Sequence, residues 1–323
     1  MDISLLSVLK LLIALGLIIG MLIANSVVMV WLERKVAAFI QRRPGPYEVG
    51  PHGTLQTIAD TVKLLGKQIV IPGSSDRILF LLAPVLSMFP MFLMFLVIPY
   101  GPWLTGLDVN LGLLLILAFT GLESLAVLSG GWASNNKYSL LGAARTVAQS
   151  VAYEIPLLLA ILALAFQYGS LNLTTITEAQ AGWVWNWNIF CQPLAFLIFV
   201  ITCFGETNRA PFDLPEGESE LTGGYHTEYS GMGFALFFMA EDTSMLLVSF
   251  LAAVLFLGGS NGPLINGVWW TLLKMGAFMT FMIWVRWTFP RVRFDQLLNI
   301  NWKWLLPLGL LNLWVTAIVM KVF

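Results

Sequence analysis

The chain of 323 residues is 58% hydrophobic and only 11% charged, with a mean hydropathy of +0.81. A water-soluble globular domain carries about a quarter charged residues, so this composition excludes that class. The 17 basic and 18 acidic residues almost balance, which argues against the basic surface that a nucleic-acid-binding protein needs.

Runs of apolar residues long enough to cross a membrane recur along the chain. A spanning helix needs about 20 such residues. Eight runs meet that length: Leu5–Leu32, Ile78–Tyr100, Asn110–Gly130, Val147–Gln167, Trp183–Phe204, Gly233–Leu257, Val268–Trp287 and Lys303–Val322. They predict an all-α polytopic membrane protein with eight transmembrane helices in one integral domain, residues 1–323. The first run is too long for a secretory signal core, so we expect it to stay as a helix.

Lysine and arginine are concentrated in alternate connecting segments. Four segments hold 14 of the 17 basic residues, and three others hold none. By the positive-inside rule the basic segments face the cytoplasm, so both termini are expected outside. The basic segments are 33–77, 131–146, 204–232 and 286–303, and the segments without basic residues are 101–109, 168–188 and 258–267.

The first basic segment, residues 33–77, contains a pattern typical of an amphipathic helix. Within Gly53–Lys67, apolar residues recur at helical spacing opposite polar ones, which predicts a helix lying flat at the membrane surface. Such a helix could cap the bundle, or it could form the lip of a site reached from the lipid. The apolar residues are Leu55, Ile58, Ala59, Val62 and Leu65, and the polar ones are Gln56, Asp60, Lys63 and Lys67.

The third basic segment, residues 204–232, is unusually acidic, with six carboxylates against the single Arg209. Crowded carboxylates raise one another's pKa, so some can bind protons near neutral pH. A solvated loop is the simpler interpretation, but interspersed prolines and aromatic residues favour an ordered loop with a function. The carboxylates are Glu206, Asp213, Glu216, Glu218, Glu220 and Glu228.

Four further carboxylates, Glu123, Glu154, Glu241 and Asp242, fall inside predicted spans. An ionised carboxylate at the bilayer centre costs about 2.5–3.5 kcal/mol, so these groups are expected to face a polar interior. Each could be a neutral structural group or pair with a basic residue such as Arg145 or Lys274. Four carboxylates on three helices favour proton or ion conduction instead. Asp242 is expected to contribute least, because it points about 100° away from Glu241.

The sequence offers no site for a metal or a redox cofactor. Cys191 and Cys203 stand twelve residues apart on one predicted helix, too far to share a metal. The two histidines, His52 and His226, lie outside the predicted spans, which argues against haem held between transmembrane histidines.

Three motifs in the basic segments resemble those of a known family, the H subunits of proton-translocating NADH–quinone oxidoreductase (respiratory complex I). The resemblance runs nearly the whole length of the chain. The motifs are WLERK at 31–35 with QRRPGP at 41–46, GWASNNKYSLLGA at 131–143, and ETNRAPFDLPEGESEL at 206–221.

The resemblance implies a membrane subunit that forms the channel and chamber which quinone enters from the bilayer. Quinone is then a substrate, and the chain itself binds no cofactor, because the iron–sulfur clusters and the flavin belong to partner subunits. The implied partners are the terminal iron–sulfur cluster subunit and the hydrogenase-large-subunit-like subunit of the peripheral arm, small membrane subunits and antiporter-like subunits. The implied location is the bacterial plasma membrane or an equivalent energy-transducing membrane.

The resemblance also assigns roles to individual residues. Two departures stand out: Glu123 lies where many relatives have an uncharged residue, and Asp242 follows Glu241 where an aromatic is often found. The quinone chamber or its entrance would be lined by Arg34, Arg42, Arg43, Asp60, Lys63 and Phe212. Proton coupling would involve Glu33, Glu123, Glu154, Glu206, Asp213, Glu216, Glu218, Glu220, Glu228 and Glu241.

Three other functions are compatible with parts of this pattern. Related membrane-bound hydrogenases use an equivalent membrane component without quinone, and a ferredoxin-dependent complex is a further alternative. The motif around Arg42–Pro46 favours the quinone branch. An ion-coupled carrier would act alone in liposomes. A purely structural anchor for a peripheral arm would tolerate substitution of the carboxylates.

Overall fold

The computed structural model describes residues 5–101, 104–215, 217–262 and 266–322. Within these residues the chain is a bundle of helices, with one short antiparallel ribbon formed by β1 (Pro99–Gly101) and β2 (Leu104–Thr105). The predicted all-α polytopic class is confirmed.

Seven helices in the described part of the chain are long and apolar enough to cross a membrane. The first six are α1 (Leu5–Ile40), α3 (Arg77–Val97), α4 (Gly112–Ala133), α5 (Lys137–Tyr168), α10 (Met232–Leu255) and α11 (Val268–Thr288). The seventh, Phe294–Val322, joins α12 (Phe294–Asn299), a π-helical turn (Ile300–Leu305) and α13 (Leu306–Val322). Shorter helices are α2 (Gln56–Gly66), α6 (Leu173–Ala179), α7 (Asn188–Cys191), α8 (Pro193–Glu206) and α9 (Glu218–Leu221).

The fifth predicted span, Trp183–Phe204, is not one continuous helix. It is divided into α7 and α8 at Gln192, whose backbone (φ −133°, ψ 65°) is not helical. Pro193 follows, and proline favours the first position of a helix because it has no N–H to leave unpaired. The 14 residues of α8 span about 21 Å, less than the ~30 Å hydrocarbon core.

Two helices extend beyond their predicted spans. The predicted bounds follow the apolar runs, whereas the helices continue into the polar sequence next to them. The first span is predicted to end at Leu32, but α1 continues to Ile40. Glu33 and Arg34 therefore lie on α1, not in a connecting segment. Likewise α5 begins at Lys137, ten residues before the predicted Val147, with the Asn136 side chain accepting a hydrogen bond from the Tyr138 N–H as its N-cap.

Helix α10 lies at the centre of the bundle, packed against α1, α3 and α11. Every residue from Ala240 to Leu255 is buried. A helix that is apolar nearly all round is expected in such a position. Any polar side chain on this stretch must therefore find its partners inside the protein.

The predicted amphipathic helix is confirmed as α2. Its apolar residues Ile58, Val62 and Leu65 are exposed on the surface of the chain, and Asp60 on its polar side pairs with Arg34 on α1. The turn before it needs Gly53, which has φ +75° and would place a Cβ atom against the Pro46 carbonyl. This turn folds the segment back beside α1.

Candidate functional site: a charged cluster beside an apolar groove

Four charged side chains from four parts of the chain meet in the interior. Arg209 donates hydrogen bonds to Glu33 on α1 (Nη1 to Oε1, 3.2 Å) and to Asp242 on α10 (Nη2 to Oδ1, 2.6 Å). Arg286, near the end of α11, also donates to Glu33. The Arg209, Glu33 and Asp242 side chains are all less than 10% exposed. We refer to these four residues as the Arg209 cluster.

The turn after α8 aims Arg209 into the bundle. Asn208 adopts a positive φ of 50°, a conformation that asparagine tolerates better than most residues. Gln149 on α5 secures this turn, because its Nε2 donates to the Gly205 carbonyl (2.9 Å) and to Asn208 Oδ1 (3.0 Å). The position of the arginine therefore depends on a neutral amide in the middle of a neighbouring helix.

Glu241 lies next to the cluster residue Asp242 and has its own polar partners. The Tyr225 hydroxyl donates to Glu241 Oε1 (2.9 Å), and His226 Nε2 lies 3.7 Å from the same oxygen. Both partners belong to a 3₁₀ turn in the predicted acidic segment, Gly224–His226. Ser139 on α5 donates to the Tyr225 carbonyl (3.0 Å). This turn is thus packed against α5, as the aromatic residues of the segment predict.

Glu123 and Glu206 border a small internal cavity of about 20 Å³, together with Thr120, Cys203 and Ser244. Ser244 Oγ lies 3.1 and 3.2 Å from the two carboxyl oxygens of Glu123. The rest of the cavity lining is apolar and comes from α4, α5, α8 and α10. Glu154 extends toward α4, where its Oε1 would lie 3.5 Å from a Cβ built on Gly121. Glu123 on α4 and Glu206 on α8 thus share one cavity, and Glu154 on α5 lies beside α4.

An apolar groove of about 380 Å³ lies between α1, α2 and α10. Its polar boundary residues include Asp242 of the Arg209 cluster. They also include the ion pair of Arg34 Nη1 with Asp60 Oδ2 (2.7 Å), which joins α1 to α2. Burial alone would raise the pKa of Asp60, but hydrogen bonds from Arg34 and Gln56 hold it below the ordinary value. The apolar lining is Ile23, Val27, Val30, Leu64, Met232, Phe234, Ala235, Leu236, Phe238 and Met239.

The other residues implied for the chamber lie away from this groove. Arg42, Arg43 and Lys63 are exposed at the surface, and Arg43 Nε donates to Gln41 (2.6 Å). Phe212 is buried against Tyr153, with 5.3 Å between ring centroids. Their role at a chamber stays a prediction.

The carboxylates of the acidic segment have different surroundings in the fold. Burial, together with the charge of Glu241, raises the pKa of Asp213 above its ordinary value. Glu220 is exposed, and the hydrogen bond from Arg145 (2.6 Å) lowers its pKa. Glu228 accepts a hydrogen bond from Asn136 Nδ2 (2.6 Å). Glu216 lies outside the described residues, as does the side chain of Glu218.

Several partners of the buried carboxylates cannot be predicted from the sequence. Asp242, which is expected from the sequence to contribute least, joins the cluster to the groove. The alternative pairing of intramembrane carboxylates with Arg145 or Lys274 is wrong for the contacts described, because Arg145 pairs with Glu220, and Lys274 donates to two backbone carbonyls. Arg209 could have been singled out from the sequence, because it is the single basic residue of the acidic segment. Tyr225 is one of the aromatic residues that favour an ordered segment, whereas Arg286, His226 and Ser244 carry no comparable signal in the sequence.

No group of three or more His, Cys, Asp or Glu side chains in the described ranges could hold a metal ion. The arrangement is suited to holding and moving protons, because titratable groups and hydroxyls adjoin one another in the interior.

The fold and the site define a polytopic membrane protein with buried carboxylates beside an apolar groove. The chain matches the family model described as NADH dehydrogenase over residues 12–317. It is 48% identical over 310 residues to the H subunit of the NADH-quinone oxidoreductase of Desulfotalea psychrophila, with 93% of each chain covered.

Further relatives agree. The chain is 46% identical to the H subunit of the NADH-quinone oxidoreductase of Carboxydothermus hydrogenoformans, over 93% of this chain and 86% of the relative. It is 43% identical to NADH-quinone oxidoreductase subunit 8 of Rhodothermus marinus, over 95% of this chain and 96% of the relative. The chain belongs to the NADH dehydrogenase family, with the H subunits of NADH–quinone oxidoreductase.

Proposed function

We propose that this chain is the membrane subunit of a quinone-reducing respiratory complex in which it provides a quinone channel and couples quinone reduction to proton translocation. The observation that carries this proposal is the groove between α1, α2 and α10, because it extends to Asp242 of the Arg209 cluster. The names of the relatives support the parent complex. In that complex, other subunits would carry out the electron transfer.

The groove has the chemistry that a quinone requires. A membrane quinone combines an isoprenoid tail with a ring bearing two polar oxygens, so it needs apolar walls with a few polar groups at one end. The walls here are aliphatic and aromatic, and α2 exposes further apolar residues beside them. This supports the interpretation of α2 as the lip of a site reached from lipid.

The charged groups beside the groove suit the coupling step. Quinone reduction consumes protons and changes the charge near the Arg209 cluster. Two unit charges 4 Å apart interact by about 4 kcal/mol at an effective dielectric of 20, and about 5.5 kcal/mol moves a two-state equilibrium from 1:99 to 99:1. Protonation changes at Glu241, Glu206, Glu154 and Glu123 would transmit this effect through the interior.

The proposal extends to the assembly and the membrane. The whole chain would form one integral domain in a bacterial plasma membrane or its equivalent. Both termini would lie outside, with α7 and α8 together making the fifth of eight crossings. Peripheral-arm subunits would cover the face bearing the segment 204–232, and antiporter-like subunits would receive the electrostatic signal. The basic segments that face one side support this orientation.

Filling the groove tests the quinone channel. Ala235 lines it, so Ala235→Trp should reduce quinone reductase turnover at least about tenfold by blocking access, a change of about 1.4 kcal/mol. Electron transfer to a water-soluble acceptor that bypasses the membrane should be preserved. The measurement is turnover with both acceptors in the purified complex.

A matched variant provides the control. Ala277 is exposed on α11, so Ala277→Trp adds the same bulk away from the groove and should leave quinone reduction unchanged. Normal quinone turnover in an assembled Ala235→Trp complex would contradict the proposed channel.

A further inference from the structure

We infer that a second cavity, between α3 and α10, binds the isoprenoid tail of the quinone whose head group enters the groove. This inference rests on the proposed function of the groove, and it adds a tail site that lies outside the groove. The cavity has a volume of about 100 Å³. Its lining comes from α3, from the start of α10 and from the segments that precede these two helices.

The groove and the cavity share two lining residues, Met232 and Leu236. These residues are partly exposed and stand four positions apart, on one face of α10. They form a ridge with the groove of α1 and α2 on one side and the cavity beside α3 on the other. Methionine is a flexible side chain that adapts to irregular apolar neighbours. A hydrocarbon chain that crosses this ridge would stay in contact with the protein from the groove to the cavity.

The groove is too small for a whole long-tailed quinone. Its volume of about 380 Å³ lies near the lower end of the range of about 300–1,000 Å³ for pockets that enclose a drug-sized ligand. A quinone with many isoprene units is larger than such a ligand, so part of its tail must continue beyond the groove. Along α10 the groove lining runs from Met232 to Asp242, about 15 Å along the helix axis. A head group near Asp242 therefore reaches the cavity only through a long tail.

The lining of the cavity is suited to hydrocarbon. Its two polar side chains already have partners: the Tyr229 hydroxyl donates to the Phe80 carbonyl (3.2 Å), and Ser230 Oγ accepts from the Val70 N–H (3.1 Å). The other lining residues are apolar. A polar head group would lose its contacts with water here without gaining matched partners, whereas an isoprenoid chain has no polar atom to satisfy.

Aromatic packing and a glycine shape the cavity. The rings of Phe80 and Tyr229 stack with 4.1 Å between centroids and 2° between planes, which gives the cavity a flat wall. A Cβ built on Gly233 would lie 3.1 Å from Tyr229 Cδ1, so any side chain at this position would enter the cavity. The lining residues Ile69 and Leu81 are nearly half exposed, so the cavity opens at the surface of the chain.

The test uses the intact complex in lipid nanodiscs and two quinones with the same head group, one with a long isoprenoid tail and one with a single isoprene unit. Gly233→Leu fills the cavity. KM for the long-tailed quinone, expressed per lipid, should rise at least about tenfold, because the tail loses its contacts. KM for the short-tailed quinone should stay unchanged, because its tail does not reach the ridge.

Gly276→Leu is the matched control, since a Cβ built on Gly276 of α11 meets no atom within 4 Å. It should leave both KM values unchanged. An unchanged KM for the long-tailed quinone in an assembled Gly233→Leu complex would overturn the inference. An equal rise for both quinones would overturn it as well, because the substitution would then act on the groove and not on the tail.

A second measurement uses the unaltered chain, in case Gly233→Leu fails to assemble. A long-tailed quinone with a diazirine at the far end of its tail is photolysed in the intact complex, and the labelled peptides are identified by mass spectrometry. Label is expected on Ile69, Leu81 or Met232, and excess unmodified long-tailed quinone should remove it. Label on lipid alone, or label at these residues that persists with excess quinone, would show that bilayer lipid covers the cavity and would overturn the inference.

The Ala235→Trp variant separates this inference from the proposed function. Blocking the groove should reduce turnover with both quinones, whatever the length of the tail. If Ala235→Trp has this effect while Gly233→Leu does not distinguish the two quinones, only the inference about the tail fails.

Discussion

The middle and the carboxyl end of α10 bury polar groups in different ways. In the middle, Asp242 is ion-paired with Arg209, and Glu241 contacts a tyrosine and a histidine. At the carboxyl end, neutral amides bond the backbone: Gln180 Nε2 donates to the Val254 carbonyl (3.0 Å), and Asn188 Nδ2 to the Leu255 carbonyl (2.6 Å).

Only one of these arrangements follows from the requirements of a helix. The last four carbonyls of any helix lack intrahelical partners, so a buried end needs donors such as these amides. Lys274, which donates to the carbonyls of Gly259 and Asn261 just beyond the helix, fits the same requirement, since a cation is favourable near a helix carboxyl terminus. The backbone of the middle is already paired. Its carboxylates therefore indicate a purpose other than holding the helix together.

Removing the central cation should produce the largest effect. Arg209→Gln leaves Glu33 and Asp242 buried without their shared partner, and breaking a buried pair in this way costs about 3–5 kcal/mol. We expect loss of the chain from the purified complex, or a clearly lower Tm. Arg145→Gln breaks the exposed pair with Glu220 and should leave Tm nearly unchanged. Equal effects of the two variants would show that the cluster is not the electrostatic centre of the fold.

The second prediction separates the two regions of α10 by function. Glu241→Gln keeps an oxygen to accept from Tyr225 but removes the titratable proton. Coupled proton translocation should fall at least about tenfold, because a positioned acid–base group contributes about 10²–10⁴. Assembly should be preserved. The measurement is proton uptake per quinone reduced in reconstituted complex.

Gln180→Leu is the corresponding change at the carboxyl end. It leaves the Val254 carbonyl and the Gly258 N–H unpaired, at a cost of about 1–3 kcal/mol in stability. Proton translocation per turnover should persist in the complex that assembles. The comparison would fail if Gln180→Leu uncoupled the assembled complex or if Glu241→Gln translocated protons normally.

Most of the fold could be predicted from hydropathy, because the membrane requires long apolar helices and the sequence contains them. The break before Pro193 shows the limit of that argument. Proline in the sequence indicates a kink. Only the fold shows that Gln192, at the break between α7 and α8, donates a hydrogen bond from its Nε2 to Gln167 (2.8 Å). Hydropathy also does not predict the helix ends, since α1 and α5 continue beyond the apolar runs.

The sequence identifies single unusual residues of the site, but it does not show which residues pair with one another. Energetic cost identifies Glu241 as unusual without a structure. The partners of Glu33, however, lie 176 and 253 residues away, so no local spacing reveals them. The sequence predicts a small role for Asp242 if only one side of α10 faces the interior. The helix is buried on all sides, so both neighbouring carboxylates lie inside.

The smallest predicted effect tests how far the charged region extends into the acidic segment. Burial and the charge of Glu241 raise the pKa of Asp213, outweighing Arg291, Arg286 and Arg209, which lower it. An acid whose pKa is higher in the folded state costs stability as the pH rises through the interval between its unfolded and folded values. Asp213→Asn should therefore raise Tm slightly, and more at pH 8 than at pH 5.

Thermal unfolding of the purified complex at both pH values provides the measurement. The exposed carboxyl of Glu178 supplies the control, since Glu178→Gln should shift Tm by the same small amount at pH 5 and pH 8. A lower Tm for Asp213→Asn at pH 8 would mean that ionised Asp213 is stabilised by the arginines rather than opposed by Glu241. The charged region would then still reach Asp213, but through the arginines and not through Glu241.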